Sequence, residues 1–236
     1  MRFPLIPAAL LLSTSLFAQG HTTGSFHGCV AKGDAGPDHP DADPKLNQLK
    51  NRDVAPASFT AKTVAAIVGD VPEAAMAAME KKREKWEDGQ RSSIAAREDS
   101  GIVVVGYLAG VQKEDEESCN CHDHDRVDYH LWLVTSPGQK RSKSMVIEIS
   151  PRLLDAHPRW PELVRIAHRD GYHVRVSGWR TFDQEHHEQL KSHQNNNGTV
   201  THPSRATLWE IHPIHRIEVE SEDGDWVDLE DIDTGA

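Results

Sequence analysis

The sequence predicts a mainly β chain with added helices, an α+β class, in which a small helical segment precedes a five-stranded barrel. Three observations predict it. Residues 58–99 are helix-favouring, with alanines from Ala74 to Ala78; the chain after residue 100 is β-branched and alternates in polarity. One helical stretch, residues 151–170, interrupts the strands between the third and the fourth. Turn residues separate the strands at short spacing, as in Ser136-Pro137-Gly138.

Taken in order, residues 1–20 have one cation, Arg2, then an apolar run from Leu5 to Leu12, then the small residues Ala18 and Gly20. That order matches a secretory signal with cleavage near Gly20, and the run is too short to span a bilayer. Residues 21–57 are rich in Gly, Asp, Pro and His and read as a loose polar lead. Residues 58–99 form the helical segment, with helices expected at 61–68 and 72–86, the second capped by Asp70 and ended by Gly89. Residues 100–222 make the barrel domain, and 223–236 an acidic tail.

Within the barrel domain the first strand covers 101–111, with a bend at Gly106. The second, 128–135, places Tyr129, Leu131 and Leu133 on one face and Asp128, His130 and Trp132 on the other. Met145, Ile147 and Ile149 mark the third, and Tyr172, Val174 and Val176 the fourth. The fifth covers 206–211, with an extended piece at 217–219. Pro213 cannot donate to a ladder and implies a bulge or a strand end. Strand, strand, strand, helix, strand, strand is the order of an OB-type barrel.

The chain has 236 residues and a formal net charge of −11. Such a charge argues against a nucleic-acid partner, and no stretch after residue 20 is long and apolar enough for a membrane span. The signal pattern places the protein outside the cytoplasm, secreted or periplasmic. Its three cysteines, Cys29, Cys119 and Cys121, fit an oxidising compartment. Cys119 and Cys121 stand too close in sequence for an unstrained mutual bridge. A disulfide from Cys29 to either Cys119 or Cys121 is therefore expected, leaving one thiol.

Two constellations are candidates for chemistry. In the loop, Cys119, Cys121, His122 and His124 are ligand types suited to zinc, although their spacing matches no common zinc module. On the sheet, the barrel order puts the second, third and fifth strands side by side. Asp128, His130, Glu148, Glu210 and His212 would then share one exterior, solvated face. Among them His130, Glu148 and His212 are the candidate ligands of one divalent metal, with zinc the expected ion. Arg175 and Arg180, on or beside the fourth strand, are candidates for holding an anionic group. Paired charges across an ordinary wet sheet face explain the same pattern without a ligand. His186 and His187, with Asp183 three residues before His186, have helical ligand spacing but read as a surface turn.

The motifs "IVVVGYL", "ESCNCH", "DYHLWLV", "VRVSGW", "FDQEH" and "LWEIHPI" resemble those of a group of uncharacterised exported bacterial proteins, over residues 49–219. That resemblance implies a single exported domain and no particular activity. Strand order also resembles OB-type binding proteins and the staphylococcal-nuclease barrel, though the nuclease's carboxylates and arginines have no matching motif here. Three functions follow as expectations. The first is an exported OB-like domain binding a small molecule or polymer, with a divalent metal on its polar face. The second is a metal-dependent hydrolase of the phosphodiester class using His130, Glu148, Glu210 and His212. The third is a disulfide-stapled domain whose partner is another protein.

Overall fold

The computed structural model describes residues 24–40, 42–70, 82–160, 172–194 and 200–232. Its strands are β1 (Phe59–Thr63), β2 (Gly101–Lys113), β3 (Tyr129–Val134), β4 (Met145–Ile149), β5 (His173–Phe182), β6 (His193–Gln194), β7 (Val200–Thr201), β8 (Trp209–Glu220) and β9 (Trp226–Asp228). Its helices are α1 (Pro44–Lys50), α2 (Val64–Gly69), α3 (Asp88–Glu98) and α4 (Pro151–Leu154). Strands β2, β3, β4, β8 and β5 pair in that order, and β5 pairs back to β2, which closes a five-stranded barrel. All barrel pairs are antiparallel except β4–β8, which is parallel. This is the OB-type order that the alternation of elements predicts, with α4 between the third and fourth barrel strands.

Alternation fills the barrel. Leu131, Leu133, Met145, Ile147, Ile149, Val174, Val176, Ile211 and Ile217 turn inward to a buried apolar core. β8 is longer than expected, because the extended piece at 217–219 belongs to the same strand. Pro213 does not end it. The ladder slips instead: Gly178 opposes Ile214 and Arg180 opposes Ile211, so two residues of β8 bulge past one of β5. Gly178 makes room for this, since a Cβ there would stand 2.3 Å from the Pro213 carbonyl oxygen. β2 has its own irregularity between Leu108 and Val111, at Gly110 (φ 148°), beyond the bend expected at Gly106.

Several segments differ from expectation. Residues 59–63, read as part of a helical region, extend the sheet as β1, parallel to β2. The helix expected at 72–86 falls largely on residues 71–81, outside the described residues. Gly89 does not end a helix. It lies in the first turn of α3, which a capping box between Glu87 and Gln90 starts. Of the stretch expected to be helical over 151–170, residues 161–170 lie outside the described residues, 151–154 form α4, and 155–160 are turns rather than helix. The acidic tail begins with β9, paired to β8, and Leu229 behind it is buried.

The lead segment is tied down rather than loose. Cys29 is disulfide-bonded to Cys121, and Gly33 (φ 64°) packs so tightly that a Cβ would meet the Ser118 carbonyl oxygen at 2.0 Å. Asp43 caps α1 by accepting from the Lys45 and Leu46 amides at 2.9 and 3.1 Å. No helix among the described residues is long and apolar enough to cross a membrane.

Candidate metal centre

β3, β4 and β8 lie side by side and send alternate residues to the barrel's outer face. His130 and Glu148 are direct cross-strand partners. The parallel register of β4 with β8 sets Val146 against Glu210 and Ile147 against Ile211, which brings His212 beside Glu148. The five predicted residues thus do share a face, but that face is not solvated. Asp128, His130, Glu148, Glu210 and His212 are each 0–1 % exposed.

This burial has a physical cause. A cover of sequence-distant segments lies over the polar face. α1 contributes Asn47 and Lys50, its C-cap contributes Asn51, and the short 3-10 turn Ser118–Asn120 contributes Cys119 and Asn120. Asn51 binds the two parts of the cover together, donating to the Ala31 and Cys119 carbonyls at 2.9 and 2.8 Å. Arg152 adds a bond to Asn51 at 2.8 Å and one to the Cys29 carbonyl at 2.8 Å. The 3-10 segment Gln184–Leu190 supplies His186, and Arg205 packs in behind Glu210.

The enclosed side chains are strongly charged. Carboxylates come from Glu114, Glu117, Asp128, Glu148, Asp183 and Glu210; the fixed cations among them are Lys50 and Arg205. His130 Nε2 lies 2.7 Å from Glu148 Oε1, and His212 Nδ1 lies 2.7 Å from Glu148 Oε2. Neither contact has hydrogen-bond alignment. All four atoms are buried without a hydrogen-bond partner, as are His212 Nε2, Asp128 Oδ1 and Glu210 Oε2. Native interiors keep few such atoms; the two close imidazole–carboxylate pairs attract by charge, and the three remaining atoms have charged neighbours only at 3.7–3.9 Å.

The remaining lone pairs are occupied. Asn120 donates to Asp128 Oδ2 at 2.8 Å, Arg205 holds Glu210 Oε1, and Glu114 stands 3.1 Å from His130 Nδ1. His212 Nε2 and Asp128 Oδ1 are 3.9 Å apart. Asp128, Glu148 and His212 each offer a ligand atom within 4.8 Å of the others; so do Glu117, His130 and His186. The expected trio of His130, Glu148 and His212 meets at Glu148, which stands 2.7 Å from each imidazole and so lies between the two sets.

Electrostatics follow from the crowding. Burial works against a charged His212, but Glu148, Glu210 and Asp128 outweigh it and raise the imidazole to about 10. Burial chiefly, with Glu117 and Glu148 nearby, raises Asp128 to about 7. Burial also presses on Glu148, yet His130, His212 and Lys50 hold it well below the usual carboxylate range. The imidazoles are drawn toward the charged state because the carboxylates around them outnumber the fixed cations Lys50 and Arg205.

The loop constellation does not assemble. Cys121 is bound to Cys29, so its sulfur is no thiolate ligand. Cys119 is a buried thiol beside Glu117 and Asp128, with Sγ 3.4 and 3.6 Å from their oxygens. The backbone is left-handed at Cys121 and His122, φ 55° and 50°. His122 stacks on His39 beside Asp34, and His124 pairs with Asp125 in solvent. Arg175 and Arg180 are engaged as well: Arg175 forks onto Glu218, and Arg180 binds Asp70 at 2.6 Å while lying over the Trp209 ring. Asp70, read as a helix cap, is this partner.

Sequence reasoning passed over Glu114, Glu117, Lys50, Arg205 and Asp183 as site residues, and read His186 as surface. The one signal present was Asp183-x-x-His186, whose carboxylate and Nδ1 are 2.7 Å apart. No family model matches the chain, and no curated protein is detectably similar to it.

Proposed function

We propose that this protein is an exported OB-type binding domain that holds a divalent cation, zinc or a similar first-row ion, at Asp128, Glu148 and His212. One observation carries the reading: Glu148 Oε2, His212 Nδ1 and Nε2, and Asp128 Oδ1 are buried, close together and without hydrogen-bond partners. Carboxylate and imidazole are the donors that borderline divalent ions take. An ion there removes several unsatisfied polar atoms at once and neutralises part of the enclosed charge. Zinc ligands at about 2.0–2.2 Å in tetrahedral array stand about 3.4 Å apart, so binding spreads the Glu148–His212 pair slightly.

Export rests on the signal pattern of residues 1–20, and the Cys29–Cys121 disulfide is in keeping with an oxidising compartment. The motif resemblance to exported bacterial proteins points the same way. Burial favours holding a cation over the phosphodiester hydrolase reading. Among the described residues His130, Glu148, Glu210 and His212 are buried beneath the cover, where an ion fits better than a phosphodiester. The bound cation joins the outer face of β3, β4 and β8 to the loop above it.

Metal analysis of the purified protein tests this. Wild type is expected to contain, or after chelation to take up, zinc, and to gain about 2.7 kcal/mol of stability at a hundredfold excess over its Kd. Glu148→Gln keeps the shape, removes the charge, and is expected to lose the zinc with the circular dichroism spectrum unchanged. A wild-type protein that takes up no zinc, manganese or iron, and whose unfolding midpoint ignores both chelator and metal, would defeat the proposal.

A further inference from the structure

We infer that the centre is dinuclear, with Glu148 bridging a second divalent cation held by Glu117, His130 and His186. This deepens the single-cation reading above and rests on it. Glu148 stands between the two ligand sets, with Oε2 toward His212 and Oε1 toward His130, and each oxygen is buried without a hydrogen-bond partner. A carboxylate satisfied by one cation through one oxygen leaves the other in want of a partner.

The second set has its own support. His130 is 1 % exposed, and its Nε2 lacks a hydrogen-bond partner. Glu114 stands 3.1 Å from the Nδ1 of His130, and Asp183 stands 2.7 Å from the Nδ1 of His186. A carboxylate on the far nitrogen is the usual outer support of a metal-bound imidazole, fixing the tautomer so that Nε2 is the donor. The two rings are adjacent, with centroids 5.5 Å apart and edge to face. Glu117 completes the set: Lys50 and Cys119 both donate to its Oε2. Lys50 also reaches Asp183, at 2.9 Å, so one fixed ammonium ties together the carboxylates on two sides of the second position.

The donors fall into two sets that share Glu148. Asp128 and His212 serve the first ion, and Glu117, His130 and His186 serve the second, with Glu148 common to both. Three imidazoles with three carboxylates suit zinc, manganese or iron rather than magnesium or calcium, which prefer all-oxygen shells. Ions sharing such a centre stand about 3.5–4 Å apart, close enough for coupled electron spins.

Stoichiometry decides the matter. Metal-free wild-type protein titrated with Zn²⁺ is expected to take up two equivalents, and His186→Ala only one. With Mn²⁺ at two equivalents, wild type is expected to show an exchange-coupled spectrum, and His186→Ala the six-line signal of an isolated ion. His186→Gln, checked for folding by circular dichroism, repeats the comparison with a smaller loss of volume. One equivalent in wild type, unchanged by either variant and with an uncoupled manganese signal, would overturn the dinuclear centre and leave the single-cation site standing. Uptake of no metal at all would remove both.

Discussion

His215 shows at the scale of one residue how the cover and the barrel communicate. Its ring Nε2 donates to the Arg52 carbonyl at 3.1 Å, directly after α1, and the Arg52 guanidinium lies over the Trp179 ring. Burial lowers its pKa to about 4, helped by Arg52 and His157 and opposed by the bond to the Arg52 carbonyl and by Asp53. The folded state thus favours neutral imidazole. An unfolded histidine titrates near ~6.5, so this contribution is complete above that pH and is lost as pH falls from about 6.5 toward 4. The loss is on the order of 2 kcal/mol by pH 4.5 after allowance for partial exposure. Urea midpoints at pH 7 and 4.5 measure it against His215→Gln, which retains a donor and does not titrate. The wild type is expected to lose more stability than the variant over that interval; equal losses would mean that His215 is protonated in the folded protein.

At the scale of elements, the strands were readable and the cover was not. Asp128, His130, Glu148, Glu210 and His212 were found because a period of two assigns faces, and barrel order then makes neighbours of them. Nothing periodic announces the cover. Residues 24–40 and 42–52 are held by separate contacts, such as Asn47 to Ser118 at 3.1 Å and Lys50 to Glu117 at 2.9 Å, and each contact depends on tertiary placement. The polar composition of that segment, read as looseness, is instead the lining of a buried charged site. Asp43 joins the pieces. Besides capping α1, its Oδ2 accepts from the Arg83 amide at 2.8 Å and from Gln184 at 3.0 Å. Asp43→Ala removes a cap worth about 1 kcal/mol and leaves buried donors unpaired, for a total destabilisation of about 2–4 kcal/mol. Asp43→Asn, which retains one acceptor oxygen, is expected to recover about half. Denaturant titration of both variants checks this, and a loss below about 1 kcal/mol for Asp43→Ala would show that the cap alone matters.

For the whole molecule, the Cys29–Cys121 disulfide closes a loop across 92 residues and anchors the lead segment to the turn that roofs the site. In the chain-entropy account such a closure removes about 4–5 kcal/mol of denatured-state freedom. Its local effect is as informative as its global one. Cys119, 2 % exposed, lies under the cover beside Asp128, so its reactivity reports whether the cover opens without the barrel unfolding. In the oxidised wild type, thiol labelling of Cys119 is expected to follow global unfolding, because the disulfide and the bonds from Asn47 and Asn51 tie the roofing turn to the lead segment. In the Cys29→Ser, Cys121→Ser double variant, global stability is expected to fall by about 4–5 kcal/mol. Labelling of Cys119 is expected to quicken by more than that fall explains, since the roofing turn then opens on its own. If labelling accelerates only in step with the lost stability, the side-chain bonds of Asn47, Lys50 and Asn51 keep the cover shut, and the disulfide acts solely on the unfolded chain.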